Sequence, residues 1–365
     1  MDRTTVEAYD THAERWAAAR PVGPAEAGDA RDFAASAERP IVDLGCGSGR
    51  HLGDLGPGVV GLDASAAMLA LAAAERRGVP LVRGDLLALP FTTGAVGGAW
   101  AKQSYVHVAR TAMPAALAEA HRVLRVGARL RLVVFSGDRE LEPHPDDDLP
   151  GGRRFSAWEP DHLRDVVVGA GFEIDELVGE AHRLLVTAVR ARTLADHVGP
   201  AMRLLICGLN PSVYAADAGV GFARPGNRFW PAAIRAGLVH TDRDPVRALA
   251  DDGIGMTDLV KRATPRAAEL SRAEYEDGLR RVERLVAWLR PAAVCMVGLA
   301  GWRAAADRSA VAGWQERGLG GRPLYLMPST SGLNAHSSLD ALTAHLLEAA
   351  RGSSIDGAAS ARRPQ

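Results

Sequence analysis

The segment PIVDLGCGSG at residues 40–49 decides the fold of the first half of the chain. Its apolar part predicts a buried strand, and its three glycines predict a sharp turn into a helix, where a ligand can approach the backbone closely. Further apolar runs lie at 59–63, 81–85 and 96–101, with helical patterns between them. Strands that alternate with helices predict βαβ units and therefore a doubly wound parallel sheet.

A second alternation of strands and helices begins at Arg203. The chain has 365 residues, which is more than one hydrophobic core usually supports, so two α/β domains are expected. The predicted divisions are a first domain at 1–195, a linker at 196–201, a second domain at 202–351 and a disordered tail at 352–365.

The composition is that of a globular protein, with 47% hydrophobic and 24% charged residues. No apolar run reaches about 18 residues and the N-terminus is charged, so neither a membrane span nor a secretory signal is expected. The three cysteines, Cys46, Cys207 and Cys295, form no CxxC pair. They predict no disulfide framework and no metal site, and a reducing cytoplasmic location is expected.

Charge is distributed unevenly along the chain. Acidic residues exceed basic ones over 1–200, whereas basic residues exceed acidic ones over 201–365. A basic half suits nucleic acid, because phosphate neutralisation dominates that affinity. Chance variation around a net charge of -1 explains the asymmetry equally well.

Three aspartates in the first half are expected at consecutive strand ends. Asp43 precedes a GxGxG loop, not the GxGxxG of dinucleotide sites, and its carboxylate suits an ammonium group better than a pyrophosphate. Asp63 could accept hydrogen bonds from ribose hydroxyls, and Asp85 could contact an adenine amino group. Each aspartate alone could equally form a turn or a helix cap.

These motifs resemble the class I S-adenosylmethionine-dependent methyltransferases over roughly residues 4–190. The segments that carry the resemblance are AYD…AERW (8–16), DLGCGSG (43–49), GLD (61–63) and GDL…LPF (84–91). The resemblance implies S-adenosyl-L-methionine as cofactor, with a Rossmann-like fold. The methionine part would lie on Gly45, Gly47 and Gly49, the ribose on Asp63, and the adenine on Asp85, with Tyr9 closing over the cofactor.

The sequence disfavours two classes of methyl acceptor. After the fourth strand there is neither an Asp-Pro-Pro-Tyr motif nor a Pro-Cys pair, which disfavours methylation of DNA amines and of cytosine carbon 5. His107 could be a general base or a structural residue. The acidic loop at 143–152 is long enough to be a lid and argues against contact with nucleic acid, so a small molecule is at least as suitable an acceptor as a base.

Two motifs of the second half follow strands. GLNP (208–211) places Asn210 after the first strand, and MPSTSGLNAH (327–336) is a small-residue loop with one leucine after a later strand. Small residues can approach a nucleic-acid backbone, and an apolar wedge can fill the space of an extruded base. Between them lies FARPGNRFW (222–230).

Together with GIGMTDLVKRAT (253–264), these blocks resemble the mismatch-specific uracil/thymine DNA glycosylases of the uracil-DNA glycosylase superfamily over roughly 202–350. The resemblance implies a three-layer α/β/α fold and a double-stranded DNA partner that contains a mismatched or damaged base. Asn210 would position the water, and Phe222 would stack on the flipped base; plain core packing is the alternative for this ring.

The same resemblance assigns the remaining site residues. Backbone N–H groups around Leu209 and Phe222 would stabilise the uracil oxygen. Leu333, beside Gly332, would fill the vacated stack, and Ser329 and Ser331 would bind phosphate.

Two departures from the superfamily pattern affect the expected activity. Many members carry aspartate where Asn210 stands, so slower hydrolysis is expected, and the Ser-Thr-Ser sequence at 329–331 replaces Asn-Pro-Ser of the bacterial uracil-specific enzymes. Thymine and ethenocytosine therefore remain alternatives to uracil as the base that is released. Lys261 is the only lysine of this half, and its block has no Schiff-base role, so a monofunctional glycosylase without cofactor is expected.

Three functions are compatible with the sequence. The first is a fused methyltransferase and DNA glycosylase that acts in base excision repair. The second is an active glycosylase with a non-catalytic, cofactor-binding regulatory domain. The third is a protein that binds mismatches without cleaving them, which intact Asn210 and Phe222 disfavour.

Overall fold

The computed structural model describes residues 2–144 and 147–352, and these divide into two compact units, Met1–Ala191 and Arg192–Gln365. The predicted tail from residue 353 onward lies outside the described residues. Within the described ranges, no helix is long and apolar enough to cross a bilayer, and no cluster of three or more His, Cys, Asp or Glu side chains could hold a metal ion.

The first unit contains helices α1 (Arg3–Ala18), α2 (Pro24–Ser36), α3 (Leu52–Leu55), α4 (Ala66–Glu75), α5 (Met113–Val123) and α6 (Pro160–Gly169). Its strands are β1 (Ile41–Leu44), β2 (Val59–Asp63), β3 (Leu81–Arg83), β4 (Val96–Lys102), β5 (Leu124–Ser136), β6 (Arg139–Pro143), β7 (Arg154–Trp158), β8 (Phe172–Glu180) and β9 (Arg183–Arg190).

The sheet of the first unit has the strand order β3-β2-β1-β4-β5-β7-β6, and β9 pairs with both β5 and β8. The pairs from β3 through β5 are parallel, whereas β6, β8 and β9 pair antiparallel with their neighbours. The chain order reverses between β1 and β4, and ligands of doubly wound sheets bind at the carboxyl ends of the strands at such a point. The predicted α/β fold is confirmed.

The second unit contains strands β10 (Leu204–Gly208), β11 (Ile254–Asp258), β12 (Val294–Val297), β13 (Gly313–Trp314) and β14 (Leu324–Met327). Its helices are α7 (Val213–Ala218), α8 (Phe229–Arg235), α9 (Pro245–Ala250), α10 (Arg272–Leu289), α11 (Ala300–Ala305) and α12 (Leu339–Arg351). The order is β11-β10-β12-β14-β13, parallel except at β13.

Apolar residues alternate between the two faces of β10. Leu205 and Cys207 pack in a core with α10, whereas Leu204 and Ile206 pack in a second core with α8 and α12. Because successive side chains of a strand point to opposite faces, this strand is covered on both sides. The second unit therefore has three layers, as the sequence predicts.

The segment predicted as a linker, 196–201, is part of the second unit. Asp196 is buried and pairs with Lys261 at 2.8 Å and Arg281 at 2.7 Å, and His197 forms a β-bridge with Met256. Although burial raises the pKa of Asp196, the two cations hold it below its ordinary value. The second unit begins at Arg192, so this segment belongs to it, and its carboxylate neutralises two buried cations that lie far along the chain.

We expect the Asp196→Asn substitution to destabilise the second unit by about 3–5 kcal/mol, because it leaves two buried cations without a counter-charge. Hydrogen exchange of β10 and β11, followed by mass spectrometry, measures the effect. Asp217→Asn is the matched control, since Asp217 pairs with Arg192 at the surface and such pairs contribute little. Equal exchange in the two variants would contradict a structural role for Asp196.

Candidate functional sites

The glycine loop of the first unit begins where β1 ends. Gly45, Gly47 and Gly49 all have positive φ, which favours glycine. A Cβ on Gly45 would lie 2.2 Å from the Cβ of Ser104, so no larger residue fits this backbone. A Cβ on Gly49 would lie 3.1 Å from that of Ala72 on α4. Gly45 and Gly47 line a cavity, whereas Gly49 packs behind the loop.

The cavity has a volume of about 830 Å³, within the range of small-molecule sites. Asp63, at the end of β2, lies in its wall. Its Oδ2 accepts the N–H of Gly47 at 2.8 Å, and its Oδ1 accepts the N–H of Ser65 at 2.9 Å. Burial raises the pKa of Asp63, while these N–H groups favour the ionised form. Asp63 therefore fixes the glycine loop and faces the cavity.

Two predicted cofactor contacts are absent from the cavity wall. Asp43 is buried, its Oδ2 has no hydrogen-bond partner within the described part of the chain, and burial raises its pKa to about 8. Asp85 accepts the N–H of Leu87 at 3.0 Å, and its neighbours Gly84 and Leu86 line the cavity in its place. An unpartnered carboxyl oxygen behind the glycine loop suits a cationic ligand. Asp85 instead accepts a backbone hydrogen bond within a turn, which is the alternative role given for it in the sequence analysis.

Tyr9 lines the cavity within a hydrogen-bonded network. The Nδ1 of His107 lies 2.7 Å from the carbonyl oxygen of Arg154 and must carry the proton, because a carbonyl only accepts. Burial lowers the pKa of His107 to about 4, so its Nε2 accepts from the Tyr9 hydroxyl at 2.9 Å. Arg153 donates to the same hydroxyl at 3.0 Å. Both nitrogens of His107 are occupied, which favours its structural interpretation over a general base.

The acidic segment predicted as a lid contributes Asp147 and Asp148 to the cavity wall. Asp147 pairs with Arg153, and Asp148 accepts from both Arg153 and Arg20. Two positions of this segment, 145 and 146, lie outside the described residues. The two described carboxylates are thus neutralised by arginines, and their charge repels nucleic acid less than the sequence suggests.

Asn210 lies just beyond the carboxyl end of β10 and is half-buried. Its Nδ2 donates to the carbonyl oxygen of Arg262 at 3.0 Å and to Thr264 Oγ1 at 2.8 Å. The Thr264 hydroxyl donates its own proton to the carbonyl of Arg266 at 3.0 Å and can only accept from Asn210. This network fixes the orientation of the amide, so Oδ1 remains as the acceptor. Sequence reasoning missed Thr264, which lies within a quoted block.

Phe222 has a φ of 59°, which is unusual for an aromatic residue and typical of strained functional positions. Its ring stacks on Phe229 with centroids 4.2 Å apart and an interplanar angle of 23°. The ring is half-exposed, and its Cζ would lie 3.4 Å from a Cβ on Gly208. One face of the ring is thus supported by the core, at the strand end that precedes Asn210.

Asp258 is a second residue that sequence reasoning missed. It ends β11 directly opposite Gly208, and its Oδ1 would lie 2.4 Å from a Cβ at that glycine. Burial raises the pKa of Asp258 to about 6. A carboxylate therefore lies beside the strand end that carries Asn210. The sequence signal that could have identified Asp258 is a polar residue at the end of a parallel strand.

The loop after β14 presents Leu333, whose side chain is 86% exposed, the most exposed of the large apolar residues in the described ranges. Arg228 donates to the carbonyl oxygens of Ser331 at 3.1 Å, Asn334 at 2.6 Å and Ser337. One guanidinium therefore holds the base of the loop while its tip stays exposed.

The small residues of this loop form successive turns. Ser329 Oγ accepts the N–H of Ser331, and Ser331 Oγ accepts the N–H of Leu333. A Cβ on Gly332 would lie 2.9 Å from the carbonyl oxygen of Gly226, so the loop approaches the segment that follows Phe222. The structure thus brings the loop after β14 against the FARPGNRFW block.

Lys261 is not a free amine. Its Nζ lies 2.8 Å from Asp196, and its side chain is only 11% exposed. A charged, paired ammonium is a poor nucleophile.

Two family models match the chain. Residues 41–127 match a methyltransferase domain, and residues 195–351 match the uracil DNA glycosylase superfamily. The similar solved structures include S-adenosylmethionine-dependent methyltransferases from Methanosarcina mazei (20% identity, 41% of this chain and 92% of that chain, TM-score 0.37) and Mesorhizobium loti (19%, 44% and 96%, 0.36).

A third similar structure is the 1,6-didemethyltoxoflavin-N1-methyltransferase of Burkholderia thailandensis with bound 1,6-didemethyltoxoflavin and S-adenosylhomocysteine (20% identity, 51% of this chain and 85% of that chain, TM-score 0.39). The two family models fall on separate α/β units: the methyltransferase model lies within the first unit and the uracil DNA glycosylase superfamily model within the second.

Proposed function

We propose that the second unit is a monofunctional DNA glycosylase that hydrolyses the N-glycosidic bond of uracil in G mismatches, as the first step of base excision repair. The observation that carries this proposal is the fixed amide of Asn210. Its Nδ2 is held by Arg262 and Thr264, which leaves Oδ1 to accept a hydrogen bond from the attacking water. A non-cleaving mismatch binder has no need of an acceptor oriented in this way.

Hydrolysis forms a bond from the water oxygen to the anomeric carbon, and the bond to the base breaks with its electron pair on the base nitrogen. The proton that the attacking water loses passes to solvent, so the base leaves as an anion. The developing negative charge needs donors, and the backbone N–H groups of Leu209 and Phe222 make no hydrogen bond to the described residues. The sugar becomes positive in the same step. A carboxylate at Asp258, mostly ionised at neutral pH, favours that charge.

The flipped base would stack on the free face of Phe222, since Phe229 supports the other face. Leu333 would fill the space that the base leaves, with Gly332 allowing close approach of the backbone. The hydroxyl groups of Ser329 and Ser331 would donate to DNA phosphates, because their oxygens already accept within the loop or its turns. The buried ion pair of Lys261 supports hydrolysis without lyase chemistry.

We propose that the first unit binds S-adenosyl-L-methionine and transfers its methyl group. Gly45 and Gly47 would receive the methionine part, Asp63 the ribose, and Tyr9 would cover the cofactor. Asp43 would act from behind the loop, where the sulfonium and ammonium charges would lower its raised pKa and so favour its ionised form. When bound, the cofactor supplies an activated methyl group, and the protein aligns the acceptor and excludes water.

We expect Asn210→Ala to reduce uracil release by about 10²-fold or more, on the scale of other lost polar contacts in transition states. Thr264→Val should cost about 5–10-fold, since it removes one hydrogen bond that orients the amide. Abasic product from G·U, G·T and G·ethenocytosine duplexes measures the activity, and fluorescence anisotropy measures duplex binding, which should persist.

Thr343→Val is the matched control for Thr264→Val, because the Thr343 hydroxyl is also buried and also donates to a backbone carbonyl. Full uracil release by Asn210→Ala would defeat the assignment of the water site. Trapping of a covalent DNA adduct by borohydride would defeat the monofunctional mechanism.

The Arg228→Ala substitution should loosen the loop that carries Leu333, because three carbonyl oxygens lose their shared donor. We expect faster hydrogen exchange at 329–337. The substitution should slow uracil release from duplex DNA more than from single strands, where no stack must be filled. Arg235→Ala is the control, since Arg235 forms an exposed pair with Asp340. Equal losses on both substrates would argue against a wedge.

Replacement of Asp63 by alanine should raise the Kd for S-adenosylmethionine by about 10-fold or more, because a charge-assisted hydrogen bond is lost. Calorimetric titration measures the Kd. Asp54→Ala, which removes a surface pair with Arg31, should leave it unchanged. Identical titrations of the Asp63 variant and the wild type would remove this aspartate from the site.

A further inference from the structure

The cavity of the first unit extends beyond the glycine loop to a row of residues across four strands. Phe135 on β5 pairs in register with Arg183 on β9 and with Ala157 on β7, and Ala157 pairs with Arg139 on β6. Paired residues of neighbouring strands point to the same face. All four line the cavity, so this row, Arg183–Phe135–Ala157–Arg139, is one wall of it.

The two arginines of the row differ from the other cations of the cavity. Arg20 and Arg153 pair with aspartates, and Arg50 and Lys102 pair with Glu26.

Arg139 and Arg183 form no ion pair and no side-chain hydrogen bond with any described residue, and the Nε of Arg183 is buried without a partner. Unpaired guanidinium groups in a partly buried wall carry a desolvation cost that an anionic ligand would remove.

The rest of this wall is aromatic. The ring of Phe135 lies 5.8 Å from that of Phe155 and 6.0 Å from that of His182, between centroids. With strands about 4.8 Å apart, the Cα atoms of the two arginines lie roughly 14 Å apart across the sheet, on either side of this aromatic floor. A planar apolar body fits between them, with an anionic group at Arg183.

We propose that this row is the subsite for the methyl acceptor, and that the acceptor is a small aromatic acid with a carboxylate or phosphate group. The inference rests on the proposed methyl transfer. An acceptor oxygen or nitrogen forms the new bond to the methyl carbon, the pair of the broken bond stays on sulfur, and the acceptor proton passes to water. His107 takes no part, since both its nitrogens are occupied.

The test is calorimetric binding to the full chain, with and without saturating S-adenosylhomocysteine. The probes are a panel of hydroxybenzoates and indole carboxylates, phenyl phosphate, and the neutral phenols and indoles of the same shape. We expect an acid to bind at least 10-fold more tightly than its neutral counterpart. Arg183→Gln should weaken it at least 10-fold, and Arg139→Gln should weaken it less, both without change in the Kd for S-adenosylhomocysteine.

Arg129→Gln is the matched control, because Arg129 lies on β5 outside the cavity wall and pairs with Asp175. Equal binding of neutral and acidic probes, or full affinity in Arg183→Gln, overturns the proposal. Tighter binding of a single-stranded oligonucleotide, lost in both variants, also overturns it in favour of a nucleic-acid acceptor. Failure of S-adenosylhomocysteine to bind contradicts the proposed methyl transfer, while the acid subsite is still decided by the titrations without it.

Discussion

Each of the two domains depends on a strand end that has no room for a Cβ. At Gly45 the obstacle is the side chain of Ser104, and at Gly208 it is the carboxylate of Asp258. In both places the residue in the way belongs to a neighbouring strand or to the turn after it. The glycine therefore lets polar groups from two strands meet at the carboxyl edge of the sheet, where a parallel sheet also gathers its loops.

The orientation of the polar groups at these edges is fixed by the hydrogen-bond donors and acceptors around them. The Thr264 hydroxyl donates its only proton to the carbonyl oxygen of Arg266, so it can bind the Asn210 amide only by accepting from Nδ2. The carbonyl of Arg154 likewise decides the tautomer of His107. Because a buried donor without a partner costs about 1–3 kcal/mol, the reversed arrangement of either group is disfavoured strongly enough to fix one state.

The sequence predicts the parts of this structure that depend on neighbours along the chain. Apolar runs beside glycines predict β1 and β10, and the small residues around Leu333 predict an exposed loop. It does not predict partners that the topology brings together: Thr264 is far from Asn210 in the chain, and the pairing of β10 with β11 makes them adjacent.

Position along a strand is the second limit on prediction from the sequence. Asp43 and Asp63 both lie in strands that reach the carboxyl edge, yet only Asp63 lines the cavity, because Asp43 pairs in register with Gly61, two residues before Asp63, and so lies farther from that edge. Asp196 was missed because a polar stretch between two strand–helix alternations is typical of a linker, and the sequence does not show that this carboxylate has buried partners elsewhere in the chain.

The energetics of the proposed base flipping favour mismatched substrates. Burial of the exposed Leu333 side chain contributes about 2 kcal/mol, and stacking of a base on Phe222 contributes about 1–3 kcal/mol. Unpairing and unstacking a base from a duplex costs a few kcal/mol, and less at a mismatch. The gain and the cost are therefore of similar size, so a mismatch that lowers the cost by one or two kcal/mol shifts the population of the flipped state about tenfold. The loop held by Arg228 matters in this balance, because a wedge that had to be ordered on binding would lose most of that small surplus to conformational entropy.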